Sequence, residues 1–185
     1  MRYIIGLLLG IGLIVLTFIL IFRAFSGGSD APKEQAINLS DYATSSAIVR
    51  FTTDGSTVAD TNHNRIRVTV SKDKVLFEQV QGYEGKLVQT KEYPNNTQAY
   101  ATFLRALELA KFDTGNLKID KDERGYCPRG QRFIYEAIDG GDTLFRWWST
   151  SCDKSQGSYQ GASVVRSLFQ SQVPDYNKLS TGVKL

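Results

Sequence analysis

The residues that could carry nucleophilic or metal chemistry are few in this chain. Cys127 and Cys152 are its two cysteines, and His63 is its single histidine. A serine or cysteine nucleophile needs a histidine base beside it, but His63 lies in the turn-forming segment 61–64, which favours a loop residue. One histidine and two cysteines also supply fewer than the four ligands of a structural zinc site. We therefore expect no catalytic residue, no metal site and no cofactor.

Acidic residues form two patterns that resemble functional sites without completing them. The run Asp120, Asp122 and Glu123 begins like a calcium loop, but Arg124 and Gln131 stand where that loop needs oxygen ligands. Glu136 and Asp139 lie near an aromatic strand and leave a glycosidase-type carboxylate pair open as an alternative. The prediction for the metal site is negative, and a glycan hydrolase remains a secondary hypothesis.

The two cysteines lie symmetrically about the turn Gly140-Gly141, at the open end of a predicted hairpin. This position, the even number of cysteines and the apolar N-terminus favour a disulfide between Cys127 and Cys152 over two unrelated buried thiols. A two-residue turn leaves Cys127 two positions out of register with its partner. A bulge or a looser strand end would close that gap.

A pair of adjacent tryptophans lies on the last predicted strand. Because successive side chains of a strand point to opposite faces, Trp147 should join Phe145 in the core while Trp148 lies on the other face. One interpretation is an exposed contact surface for a protein or glycan, and the alternative is that the second helix covers this face. The candidate surface consists of Leu144, Arg146, Trp148, Tyr126 and Tyr159.

The elements that must position these residues follow from the hydrophobic periodicity. Period-two alternation predicts six strands, and a spacing of three and four residues predicts two helices that pack on the resulting antiparallel sheet. The fold class is therefore α+β. The strands are predicted at 47–53, 65–71, 75–81, 86–93, 132–139 and 143–149, and the helices at 97–110 and 162–172.

The N-terminal segment is apolar from Tyr3 to Phe22, except for three glycines and one threonine. Twenty such residues match the thickness of a bilayer core, so we predict a signal-anchor transmembrane helix within residues 1–25. A cleaved signal peptide is the alternative. Gly6 and Gly10 form a pattern that would permit weak homodimerisation through the membrane.

The remaining chain divides into a flexible linker at 26–37, one α+β domain at 38–174 and a C-terminal tail at 175–185. The whole chain has 22 basic and 19 acidic residues, and removal of Arg2 and Arg23 leaves a net charge of +1. An evenly scattered charge of this size argues against a nucleic-acid partner. Because a disulfide persists on an oxidising side, the domain is predicted to lie outside the cytoplasm.

The order of elements resembles the small exported α+β domains of the emfourin type, which inhibit metalloproteases. The resemblance covers residues 48–174 and includes the strands VRFTTDG and RIRVTV, the helix ending at Phe112, a hairpin, and a closing helix before Pro174. It implies a membrane-tethered protease inhibitor as an alternative function, with no site residue carried over. The preferred prediction is a membrane-anchored extracytoplasmic binding domain, whose partner is an envelope protein or glycan.

Overall fold

Six antiparallel strands form one sheet in the part of the chain that the structure describes. The computed structural model describes residues 37–153, 157–159 and 161–185. The sheet has the order β4-β3-β2-β1-β5-β6, so β1 and β2 lie at its centre. The strands are β1 Ile48–Asp54, β2 Asn64–Val70, β3 Lys74–Gln81, β4 Lys86–Pro94, β5 Arg132–Asp139 and β6 Asp142–Thr150.

One face of the sheet is apolar because alternate residues of every central strand are hydrophobic. Phe51 of β1 pairs with Val68 of β2 on one side and with Tyr135 of β5 on the other, and all three are fully buried. Trp147 pairs with Tyr135 on the same face. Trp147 and Phe145 therefore belong to the core, as predicted.

Helices cover this apolar face. Helix α1 (Thr97–Leu109) begins at Asn96, whose side chain accepts a hydrogen bond from the Ala99 amide at 2.9 Å and caps the first turn. Helix α2 (Ala162–Ser171) places Phe169 edge-on to Phe103 of α1, with ring centroids 5.3 Å apart. The α+β class and the antiparallel sheet are confirmed.

The C-terminal segment, predicted as a tail from residue 175, contains a third helix, α3 (Tyr176–Ser180). The segment then returns to the sheet. The Asn64 side-chain amide donates to the Lys184 carbonyl at 3.1 Å, and Leu185 packs against the core. This segment therefore contributes to the packed part of the molecule, which the sequence pattern did not indicate.

The predicted disulfide joins Cys127 and Cys152, with Cα atoms 5.7 Å apart. A bulge is present between Ala137 and Ile138, but it shifts the register so that Cys152 lies one position further from Cys127. A turn closes the gap instead, since the Gly130 amide donates to the Cys127 carbonyl at 3.1 Å. A Cβ atom on Gly130 would lie 2.6 Å from the Cys127 sulfur, so glycine is required there.

The predicted membrane anchor, most of the linker and the Gly6–Gly10 pair lie outside the described residues. Among those that the structure describes, no helix has both the length and the apolar character needed to cross a membrane.

Candidate binding groove

The second face of the sheet is polar and carries three parallel rows of residues that run across the strands. Cross-strand register places Glu136 between Arg146 and Arg50 in one row, and Asp54 between Arg132 and Arg65 in another. In the third row, Thr52 lies beside Arg67. Opposite charges that lie side by side on neighbouring strands stabilise a sheet.

This polar face forms the floor of a groove with a volume of about 650 Å³. Six of the nine arginines among the described residues line the groove, and none of the nine described lysines does. Three carboxylates also line it, so the groove has a formal surplus of three positive charges. The lining arginines are Arg50, Arg65, Arg67, Arg124, Arg132 and Arg146, and the carboxylates are Asp54, Glu123 and Glu136.

The segment between α1 and β5 forms one wall of the groove. The Trp148 indole nitrogen donates to the Asp120 carbonyl at 2.6 Å, and the Tyr126 ring packs on Trp148 with centroids 4.6 Å apart. Arg146 donates to the Lys121 carbonyl and pairs with Glu123 at 2.5 Å. The segment is therefore fixed across β6 by both packing and charge.

Arg132 is held at one end of the groove by protein acceptors. Its Nε and Nη2 atoms donate to Asp54 Oδ2 at 2.8 and 2.6 Å, and its other donors reach Thr57 and the Gly55 carbonyl. Arg132 is 5 % exposed. Its guanidinium is thus committed to the fold and is not free to bind a ligand.

The arginines at the centre of the floor lie farther from their carboxylate partners. Arg67 Nη1 lies 3.5 Å from Glu78, Arg50 Nη1 lies 3.9 Å from Glu136, and Arg65 Nε lies 3.8 Å from Asp54. The Nε atoms of Arg65 and Arg67 are buried and have no hydrogen-bond partner among the described residues. We call Arg50, Arg65 and Arg67 the central arginines.

His63 and Tyr83 form the opposite wall. His63 lies in the loop before β2, as predicted, and it is also 2 % exposed, with Nε2 3.0 Å from Asp54 Oδ1 and Nδ1 3.1 Å from the Ser56 carbonyl. Both ring nitrogens therefore have partners, and neither lies against a hydroxyl nucleophile. The Tyr83 ring stacks on His63 with centroids 4.2 Å apart.

The predicted aromatic contact surface is corrected by this arrangement. Trp148 is fully buried and Tyr159 is 2 % exposed, so neither presents a ring to solvent. The segment 113–131 covers Trp148, in place of the second helix that the alternative proposed. Tyr126 remains 40 % exposed, while Leu144 and Arg146 are partly exposed.

The acidic residues that the sequence singled out have separate roles. Glu136 pairs with Arg50 and Arg146, whereas Asp139 accepts a hydrogen bond from the Ser46 hydroxyl at 2.9 Å. In the segment 120–125, the hydrogen bond from Arg124 lowers the pKa of Asp122 to about 2. Within the described residues, no three histidine, cysteine or acidic side chains are placed to hold a metal ion.

The chemistry that this groove offers is recognition of anions. The planar guanidinium of arginine can donate two parallel hydrogen bonds to one carboxylate or phosphate, whereas the lysine ammonium acts as a point charge. The use of arginine alone therefore indicates directional binding of an acidic group. The period-two pattern already placed Arg65 and Arg67 on one strand face, but the pairing of β1 with β5, which completes the groove, has no local sequence signal.

Comparison of the sequence with protein-family models and with curated proteins finds no match.

Proposed function

We propose that the protein is a membrane-anchored binding module whose domain lies outside the cytoplasm and binds an acidic ligand in the arginine-lined groove. The observation that carries this proposal is the concentration of arginine on one open face. Residues 24–185 have a net charge of only +1, yet the groove alone has a surplus of three positive charges. A net positive charge in a concave site attracts ligands that carry negative charge.

The location outside the cytoplasm is supported by two features of the chain. The apolar segment 3–22 has the length of a membrane span, and the disulfide between Cys127 and Cys152 is typical of an oxidising compartment. A maleimide mass-shift measurement on unreduced whole cells tests this part of the proposal. Absence of labelling without reductant would support it, and two labelled cysteines would contradict it.

Binding is tested on the full chain in nanodiscs of phosphatidylcholine, a lipid with no net charge. The probes are three polyanions, namely polygalacturonate, poly-L-glutamate and polyphosphate, with neutral dextran as the reference. We expect at least one polyanion to bind, and the affinity to fall as salt is added. Replacement of Arg50 and Arg67 together by Gln should weaken that binding at least tenfold, since each charged hydrogen bond contributes about 1.5–3 kcal/mol.

Arg105→Gln is the matched control for this experiment. Arg105 lies on α1, on the opposite side of the sheet, and its side chain is 71 % exposed. This control loses one charge where the groove variant loses two, so a general charge effect would give half the change in binding free energy, whereas we expect the affinity to change by less than twofold. Equal weakening in the control and the groove variants, or binding of dextran as tight as that of every polyanion, would contradict the proposed function.

The predicted alternative of a tethered protease inhibitor is decided by a separate readout. The full chain could instead inhibit a metalloprotease stoichiometrically, and this inhibition could be unaffected when Arg50 and Arg67 are replaced by Gln. That result would favour protease inhibition over binding of an acidic ligand in the groove. Turnover of a glycan that is lost in Glu136→Gln would favour a hydrolase.

A further inference from the structure

We infer that the acidic ligand is a glycan with one carboxylate per sugar, which places a sugar ring on Tyr83 and a carboxylate on the central arginines. This inference rests on the proposed function and adds the chemical class of the ligand. Three features of the groove carry it: a fixed aromatic ring, a mixture of cations and carboxylates, and a floor made of interior strands.

The Tyr83 ring is held in one orientation at the edge of the groove. Its hydroxyl donates to the Val58 carbonyl at 2.8 Å, and its backbone amide donates to Asp60 at 2.6 Å. One ring face stacks on His63, while the residue as a whole is 49 % exposed and lines the groove. The opposite ring face is therefore open, and a rigid aromatic face provides contact area at low entropic cost.

A guanidinium is bound to the backbone of this aromatic residue. Arg65 Nη2 donates to the Gly82 and Tyr83 carbonyls at 2.7 and 3.2 Å, which holds the side chain next to the aromatic residue. Arg67 lies two residues along β2 on the same face, about 7 Å away. A sugar seated on Tyr83 would thus have donors for its carboxylate within the same stretch of floor.

The mixture of charges in the groove favours a sugar over a denser polyanion. Asp54, Glu123 and Glu136 are interspersed with the arginines. These carboxylates would repel a chain that carries a charge on every unit, such as polyphosphate. They can accept hydrogen bonds from hydroxyl groups, which a uronic acid supplies together with its single carboxylate.

The floor disfavours an extended acidic peptide. It consists of β5, β1 and β2, each of which has a paired strand on both sides. Their backbone groups are used within the sheet, so the floor has no strand edge to which a peptide could add. A glycan needs no such edge, because its contacts are made by side chains.

The test compares hexagalacturonate, its carboxyl-reduced neutral form and hexaglutamate by calorimetry on the full chain in phosphatidylcholine nanodiscs. We expect hexagalacturonate to bind at least tenfold more tightly than either of the others. Tyr83→Ala and Arg65→Gln should each weaken hexagalacturonate at least fivefold. Arg105→Gln on α1, away from the groove, should retain affinity within twofold, while thermal unfolding of each variant reports whether it is folded.

The outcomes separate this inference from the proposed function. Tighter binding of hexaglutamate, or an unchanged affinity for hexagalacturonate in a folded Tyr83→Ala, would overturn the glycan inference and leave an acidic-ligand module. If polyphosphate is the only polyanion that binds through the groove arginines, the glycan inference is likewise overturned and the acidic-ligand module remains. If no polyanion binds through the central arginines, the proposed function itself is wrong.

Discussion

The two faces of the sheet differ in what surrounds them and in what their side chains do. On one face, Phe51, Val68 and Tyr135 are sealed beneath helices and belong to the hydrophobic core. On the other face, charged residues of the same strands remain partly accessible above a groove. The same alternation along β1 and β2 produces both surfaces, so one sequence pattern sets both the core and the candidate site.

This difference shows that the open face cannot be explained as a merely solvated surface. A solvated face would tolerate lysine and would scatter its charges, whereas the groove on this face is lined by arginine and by none of the lysines among the described residues. Its arginines also fall into two groups. Arg132 and Arg146 are fixed to the fold by ion pairs of 2.6 and 2.5 Å, whereas the carboxylate partners of the central arginines lie 3.5–3.9 Å away.

The largest expected effects come from the two tryptophans on β6, which lie on opposite faces. Trp147 is 3 % exposed beneath the helices, and Trp148 is 0 % exposed beneath the segment 113–131. Truncation of either to Ala should lower the free energy of unfolding by about 3–5 kcal/mol. Urea denaturation measures both, and a loss below about 1 kcal/mol in Trp148→Ala would show that the segment does not cover the open face at β6.

A second contrast lies within the open face itself. Arg132→Met leaves the Asp54 carboxylate, whose side chain is only 13 % exposed, without its main partner, so we expect a loss of about 3–5 kcal/mol in stability. Arg67→Met removes a partly exposed ion pair and should cost less than about 1 kcal/mol. Urea denaturation of both variants tests whether the two groups of arginines differ. Equal losses of stability in Arg132→Met and Arg67→Met would show that they do not.

The covered face should respond to alkaline pH. Burial raises the pKa of Tyr135 to about 12, above its ordinary value near 10. Between these values the unfolded chain loses the phenolic proton before the folded chain does, so stability is unaffected below pH 10 and falls as the pH rises toward 12. The loss amounts to about 2–3 kcal/mol.

Tyr135→Phe removes this titration and serves as the comparison. Urea denaturation at pH 9 and pH 11.5 should show a smaller fall in stability for the variant than for the wild type. An identical fall in both proteins would mean that Tyr135 does not contribute to alkaline unfolding and that its face is less thoroughly dehydrated.

Local patterns predicted the elements well because each strand and helix has its own periodicity. The helix at 97–110 and the strand at 132–139 match α1 and β5 closely, and the disulfide follows from cysteine positions around a recognisable turn. These features depend on residues that are close in sequence.

The groove could not be predicted in the same way because it depends on distant pairs. β1 and β5 are separated by more than 75 residues, so Arg50 and Glu136 become neighbours only through the sheet order. The polar segment 113–131 has no hydrophobic periodicity that would predict its position over Trp148. The burial of His63 against Asp54 likewise requires tertiary contacts that a single histidine in a turn does not reveal.

The most direct test of the central claim is side-chain NMR of the arginine Nε–H groups in the full chain. Titration with hexagalacturonate should shift the resonances of Arg65 and Arg67, whose Nε atoms lack hydrogen-bond partners among the described residues. The resonance of Arg132, whose Nε already donates to Asp54, should stay nearly unchanged. Shifts confined to Arg105 or Arg166 on the helices, with none on the sheet, would contradict a ligand site on the open face.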